Sequence, residues 1–426
     1  MNALRQKIEQ EIRDRGPLPF SRYMELCLYH EELGYYSRNA AQFGKAGDFY
    51  TSSDVHAVFG RLLARQFEEM WRALGSPERI NLVELGPGRG LFAQDVLDWS
   101  EKKFSDFFRA LHYVLIERSP ALRQRIETTL TRHLETGKAE VSSSALATIT
   151  KDHPPSAAER RKNAAHGASR GSGPQNESAP KGRKNLPLVE STSTEAPTIF
   201  FANEFFDALP VEILSEQGSL RIDAHAGRFV EAWVPASLKE LEFLDRYSVH
   251  PEPGERIEVP LAVQQYANQV LGDMPRGFFL TIDYGYTREE QLAGRHRGTL
   301  KAIRQHSVSA NPYEAPGEQD ITADVNFTAL TAVAEKHGMQ PQKVITQSQF
   351  LLGIGEANEF ADAFEDCRMP QERAKFALQL KHLVTPAGMG ESFHVMVASK
   401  GVAEEKVSSL AGLNFARRIT PRILSS

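Results

Sequence analysis

NLVELGPGRG, from Asn81 to Gly90, reads as a short buried strand that ends in a carboxylate and then breaks into glycines ahead of a helix. Leu82, Val83 and Leu85 supply the strand, and Glu84 sits at its carboxyl end. Gly86, Gly88 and Gly90, with Pro87 between the first two, allow a tight turn and a close approach of backbone to ligand, because no Cβ intervenes. The following LFAQDVLDW has the pattern of an amphipathic helix whose first amides would face that ligand.

Spacing separates two cofactor classes. A dinucleotide fingerprint, G-x-G-x-x-G, needs its third glycine at position 91, where this chain has Leu91. G-x-G-x-G with a carboxylate two residues ahead is instead the loop of S-adenosylmethionine (SAM) methyltransferases. There the carboxylate and backbone groups hold the amino-acid end of the cofactor. A glycine triplet alone also fits a plain strand-to-helix turn, so a second feature is needed. HYVLIERSP, from His112 to Pro120, supplies it. Tyr113 to Ile116 form the next strand and Glu117, followed by Arg118, ends it, where an ionised carboxylate can accept both hydroxyls of a ribose. Ser119 and Pro120 open a helix whose dipole would favour the same acid, and a dehydrogenase would place an acid there too.

The chain has 426 residues, 41% of them hydrophobic, a formal net charge of -5 and a mean hydropathy of -0.40. It is long enough for one large core with additions. Its charge gives no general attraction to nucleic acid or to an anionic membrane, and no apolar run reaches the roughly eighteen residues of a membrane span. Cys27 and Cys367 are too few and too far apart for a disulfide framework, and no His or Cys pair has metal-ligand spacing, so no metal is expected. The N-terminus lacks the apolar core of a signal peptide and carries acidic residues unlike a transit peptide, which points to a bacterial cytoplasm ahead of a mitochondrial matrix. No feature specifies an oligomer.

The organisation follows from punctuation and periodicity. Two helices are expected over Ala3 to Arg15 and Ser21 to Leu33, the second capped by Ser21 and ended by Gly34. A glycine-rich loop, GKAGDFYTSSDVHAVFG, then precedes a helix capped by Ser52, Ser53 or Asp54, and these residues up to 75 form a region covering the cofactor site. Strand and helix alternate from residue 76 to 210, which implies parallel strands with right-handed crossovers. Between Ser156 and Pro197 the composition collapses into Ser, Gly, Pro and basic residues, so 151–197 reads as a disordered insertion. PTIFFANEFFDALP restarts the core with a fourth strand whose carboxyl edge carries Asn203, Glu204 and Asp207. Residues 211–272 read as a β-rich insertion on the substrate side, with strands in VEIL, SLRIDAH and RFVEAWV. Residues 273–400 return to the core with a fifth strand, GFFLTIDYGY, ending at Asp283, a helix over DITADVNFTALTAVAEKHG, a sixth strand in MQPQKVITQSQF and a last strand in ESFHVMVASKG. The final pair suits an antiparallel seventh strand, and 401–426 is a tail. The fold class is therefore α/β, a Rossmann-like, mostly parallel seven-stranded sheet of the class I methyltransferase kind.

LYHEELGYYS at Leu28, GDFYTSSDVHAVFG at Gly47, ELGPGRG at Glu84, ANEFFDALPV at Ala202, IDYGY at Ile282, GTLKAIRQH at Gly298, PGEQDITADVNFTAL at Pro316, QFLLGIG at Gln349 and MGESFHVMVAS at Met389 together resemble the MidA family of SAM-dependent methyltransferases. The likeness spans nearly the whole chain outside the insertion, and it implies a class I core with added helical and β elements over the cofactor. Mitochondrial members of that family are complex I assembly factors that act as protein arginine N-methyltransferases. The resemblance implies SAM as cofactor and an arginine-containing protein partner, with a respiratory complex I subunit as one such partner. It assigns Gly86, Gly88 and Gly90 to the cofactor loop, Glu117 to the ribose, Asn203 and Glu204 to the transferred methyl, and Asp48 to Thr51 to a loop at the active site. The insertion blurs VSSSAL, leaving Val141 and Ser142 as the residues near the adenine.

Methyl transfer from a sulfonium is an in-line displacement, so the site mainly has to hold the nucleophile in place. Arginine stays protonated in water, and a carboxylate pair is needed to orient its fork and take a proton. Glu204, with Asp207 assisting and Asn203 beside them, is the expected catalytic set. Asp207 could equally cap a helix or serve as a structural acceptor, and Asp283 is a further candidate that could just as well be a turn former. His30, His56 and His306 read as structural, although His56 lies near the GDFYTS loop. A methyltransferase of a small molecule, a non-catalytic assembly protein and a nucleotide-dependent oxidoreductase are the rival functions.

Overall fold

The computed structural model describes residues 2–38, 57–143, 196–272, 274–304, 307–309 and 311–419. Its main sheet contains β1 (Ile80–Leu85), β2 (Leu111–Ile116), β3 (Ala139–Ser142), β4 (Thr198–Asn203), β5 (Gly277–Tyr286) and β6 (Phe393–Lys400). They lie in the order β3-β2-β1-β4-β5-β6, parallel except for β6, which runs antiparallel to β5. The seventh position, outside β6, is filled by two short pieces, Gln340–Pro341 and Ile345–Thr346. The sequence reads there as one continuous strand. Pro341 has no N–H to continue the ladder, and Thr346 turns the chain by capping the helix Gln347–Glu356 through the amide of Gln349.

Both faces of the sheet are covered, which is why its strands are almost continuously apolar. Alternation sends Ile80, Leu82, Tyr113, Leu115, Ile199 and Phe201 into one cluster with helices α1 (Ala57–Ala73) and α2 (Leu91–Lys103). Val83, Leu85, Val114, Phe200 and Phe279 face the other way, against α3 (Leu261–Gly272) and α4 (Phe327–Lys336). Helix α3 thus packs under the main sheet, and the β-rich insertion closes near residue 260, short of the expected 272. Helix α1 likewise belongs to the core layer instead of to an N-terminal cover.

Register sets the site. Leu85 pairs with Ile116 and Ala202, Ile116 with Ser142, and Asn203 with Ile282. Gly86, Glu117, Ser143 and Glu204, each the first residue past its strand, therefore emerge side by side at one edge.

Above that edge sit two antiparallel accessory sheets. One joins Leu18–Pro19, Glu212–Ser215, Gly218–His225, Arg228–Val234 and Ile257–Val259, and the other joins Lys301–Arg304, Ser307–Ser309 and Asp320–Thr322. Leu4, Ile8 and Ile12 of the first helix and Phe20, Tyr23 and Met24 of the second share a cluster with Ile213, Leu220, Ile222 and Ile321.

Several elements differ from expectation. The second helix is Phe20–Tyr29, shorter than Ser21 to Leu33, and Ser21 donates to Glu212 at 2.5 Å instead of capping. His30 ends the helix in an extended conformation and its Nδ1 accepts the amide of Glu32 at 3.2 Å. A helix, Leu238–Tyr247, interrupts the β-rich insertion, fixed by a capping box in which Ser237 accepts from the Glu240 amide and Glu240 from that of Ser237. Strand β5 runs on past Asp283 to Tyr286. The stretch read as one helix from Asp320 starts its helix only at Phe327, where Asn326 caps the Ala329 amide, so that Asp320–Thr322 is free to form a strand. The expected insertion up to residue 195, Asp48, Thr51, His56 and His306 lie outside the described residues.

Phe201, at the centre of the sheet, is fully buried, stacked on Phe92 with ring centroids 4.8 Å apart and met edge-on by Phe67 at 5.4 Å. Phe201→Ala is expected to cost about 3–5 kcal/mol by denaturant unfolding, and a loss below about 1 kcal/mol would contradict this packing.

Candidate active site

The strand ends and the accessory elements enclose a cavity of about 500 Å³, within the usual range of about 300–1,000 Å³ for cofactor sites. Gly86, Pro87, Gly88 and Arg89 of the glycine loop line it, together with Leu91 and Phe92 at the start of α2. Gly88 has φ +55°, and a Cβ there would meet no protein atom within 4 Å. It would project into open space beside the loop. Gly90 differs: it does not line the cavity, and its Cβ position lies 3.3 Å from Ile126, so this glycine serves loop-to-helix packing instead of a ligand. No side chain caps α2, so its first turn presents backbone amides at the cavity wall.

Two buried acids flank the loop. Glu84 projects to the same face as Tyr113, whose hydroxyl donates to it at 2.8 Å, and burial pushes the Glu84 carboxyl up to about 8 against that hydrogen bond. Glu117 accepts the Ser119 amide at 2.7 Å and is pushed up by burial to about 7, with the Ser119 amide, Arg123 and the Arg118 amide opposing. Arg118 lines the cavity with its guanidinium 5.7 Å from the Tyr29 ring centre. Val141 packs against the core and Ser142 offers its carbonyl to the Glu117 amide at 2.9 Å; the residue of this segment that reaches the cavity is Ser143.

The turn after β4 holds the other acids. Glu204 has φ +50°, a left-handed conformation costly for a residue with a side chain. What sustains it is Asp283, fully buried on the neighbouring strand, whose carboxylate accepts the amides of Phe205, Phe206 and Asp207 at 3.1, 2.9 and 3.3 Å. Asp283 is thus the organiser of the turn. Asn203 donates to Glu204 at 3.1 Å. Asp207 lines the cavity and caps no helix, since none follows it; its carbonyl accepts the Ala323 amide at 2.9 Å. Burial and the nearby Asp283, Asp320 and Glu204 carboxylates drive Asp207 well above the ordinary carboxylate range.

The cavity wall also includes residues that strand and helix patterns do not single out: Tyr29, Tyr36, Tyr266 and Asp320. The first two belong to the aromatic-rich stretch LYHEELGYYS. Among the described residues six acids, Glu31, Glu84, Glu117, Glu204, Asp207 and Asp320, line the cavity with two arginines, Arg89 and Arg118, so this part of the wall suits cationic groups.

Residues 62–345 match the family model described as "Putative S-adenosyl-L-methionine-dependent methyltransferase". The chain belongs to that family. It is 28% identical over 417 residues to the mitochondrial protein arginine methyltransferase NDUFAF7 homolog of Drosophila melanogaster, covering 94% of this chain and 85% of that one. The human mitochondrial protein arginine methyltransferase NDUFAF7 is 26% identical over 403 residues, covering 90% and 80%. A crystal structure from Burkholderia thailandensis, bound to S-adenosyl-homocysteine (SAH), superposes with a TM-score of 0.74 at 25% identity over 96% of this chain and 94% of that one. This methyltransferase accordingly uses SAM, and the open space at Gly88, the uncapped start of α2 and the buried Glu117 are a chemically fitting set for it. Among the described residues no group of acids, histidines or cysteines is arranged to hold a metal, and no helix is long and apolar enough to cross a membrane.

Two outcomes follow for the cofactor. Gly88→Val forces a branched side chain into the left-handed region and into the cavity, so SAH binding by calorimetry is expected to be lost while the melting temperature falls by only the equivalent of about 1–2 kcal/mol. Retained SAH affinity would place the cofactor elsewhere.

The sign of the pH effect follows from Glu117. Its folded carboxyl sits near 7 against an ordinary 4.5, so the folded apo protein binds more protons in that window and loses stability as pH rises through it. A ribose diol donates to the ionised form, so SAH affinity should rise up to about tenfold from about pH 6 to about pH 8. Glu117→Gln should bind more weakly and show a flat profile; a wild-type profile that is already flat would detach Glu117 from the cofactor.

Proposed function

We propose that this methyltransferase acts on the guanidinium of an arginine in a protein partner. The observation that carries the reading is the acid-lined turn after β4, in which Glu204 is held in a strained conformation next to Asp207. Strain kept at a cavity wall by a buried carboxylate points to a positioned functional group. Bound at the glycine loop, SAM supplies an electrophilic methyl group. Glu84, Gly86, Pro87, Gly88, Glu117 and Arg118 are the residues we assign to holding it.

On the acceptor side Glu204 takes two N–H donors of the planar guanidinium, which fixes the remaining nitrogen for attack. As the new N–C bond forms and the S–C bond breaks, the nitrogen gives up one proton, and Glu204 is the acceptor for it. Asp207, driven toward its protonated form by the acids around it, supports the orientation of Glu204 without adding a second negative charge. The printed names of the mitochondrial relatives support an arginine acceptor, and the MidA resemblance makes a respiratory complex I subunit the first partner to test. A cytoplasmic setting belongs to the same proposal, supported by two cysteines that are both free thiols.

The test is transfer from methyl-labelled SAM into a cell extract, with the labelled residue mapped by mass spectrometry. Label on an arginine is expected. Glu204→Gln should keep SAH affinity within about twofold and lower transfer by roughly 10²–10⁴-fold. Label carried by a small molecule or by another residue type, or unchanged turnover in the variant, overturns the proposal.

A further inference from the structure

We propose that Asp320, brought to the cavity by an accessory sheet and not by the methyltransferase core, is the second carboxylate that reads the acceptor guanidinium, with Tyr29 and Tyr36 as its aromatic wall. This rests on the arginine reading above and names the residues that set its specificity. Asp320 opens the strand Asp320–Thr322, pairs with Ile303, is 4% exposed and lines the cavity. The Tyr36 hydroxyl donates to its Oδ1 at 2.8 Å, and the Tyr29 hydroxyl donates to the Ala208 carbonyl at 2.9 Å, so one ring is fixed by the accessory strand and the other by the turn after β4. The two rings stand 5.4 Å apart at 38°.

Asp320 belongs with the acceptor acids. Just past the end of its strand, the Ala323 amide donates to the Asp207 carbonyl at 2.9 Å, which pins the strand to the turn that carries Glu204. The charges felt by Asp207 are those of Asp283, Asp320, Glu204 and Asp324, whereas Glu84 and Glu117 interact with Tyr113, Ser119, Arg118 and Arg123. Asp320 therefore lies beside the turn that carries Glu204 and Asp207, and Tyr29 is close to it and to Glu117 and Arg118 alike. Like charges gathered in a buried wall are stabilised by a cation that spreads its charge over several donors. A guanidinium has five N–H donors in a plane and a flat face that stacks on aromatic rings; an ammonium has neither the plane nor the fork.

The experiment titrates the SAH-bound protein with ethylguanidinium, ethylammonium and ethylurea, followed by NMR. The wild type is expected to prefer ethylguanidinium over both others by about tenfold or more, and Asp320→Asn should weaken ethylguanidinium about tenfold with SAH affinity unchanged. If Asp320→Asn fails to bind SAH, Tyr36→Phe decides: weaker ethylguanidinium binding supports the assignment and unaltered binding overturns it. Asp320→Asn that keeps the wild-type preference overturns the role of Asp320 alone. A wild type that does not bind ethylguanidinium overturns the arginine reading, and this assignment with it.

Discussion

The site depends on one buried carboxylate. Asp283 gathers the amides of three successive residues, Phe205 to Asp207, and so holds the chain in the turn that puts Glu204 at positive φ. Without it three buried amides would lose their acceptor, each at about 1–3 kcal/mol, and the strained turn would relax. The glycine loop is built by a different means, from residues that need no side chain. One half of the cavity is shaped by absent Cβ atoms and the other by an anchored acid.

The sheet was legible because its strands are apolar on both faces and its register is tied to them. Ile80, Leu82 and Glu84 must share a face, and that places Glu84 beside Tyr113 on the next strand. The positions of Gly86, Gly88 and Glu117 at the cavity were equally legible, since they lie just after strands that hydrophobicity alone identifies. Gly90 was misjudged because glycine spacing does not say whether a missing Cβ serves a ligand or a neighbouring helix, here Ile126.

The rest of the cavity wall was half visible. Glu204 and Asp207 stand in a strand-terminal motif, but Asp283 looked like a turn former on its own strand, and only cross-strand register shows that it organises the turn next door. Asp320 was hidden inside a stretch whose alanines and leucine read as one helix. The cap at Asn326 starts the helix only at Phe327 and leaves DIT as a strand. The helix at Leu238–Tyr247 carried a similar signal, Ser237 followed three residues later by Glu240. Tyr29 and Tyr36 could not be placed from sequence, because what brings them to the cavity is tertiary packing of the first two helices on strands far along the chain.

That packing sets an order of events during synthesis. Asn2 bonds to Pro316 and Glu318, and Arg5 to Gly227 and then to Tyr313 and Glu314, so the earliest residues to leave the ribosome complete their contacts only when three quarters of the polypeptide has emerged. Before that, the apolar stripe of Leu4, Ile8 and Ile12 has Phe20, Tyr23 and Met24 beside it and, once they emerge, Leu220 and Ile222. The bond from the Tyr36 hydroxyl to Asp320 is accordingly among the later ones to form, well after the glycine loop and the end of β2 have emerged.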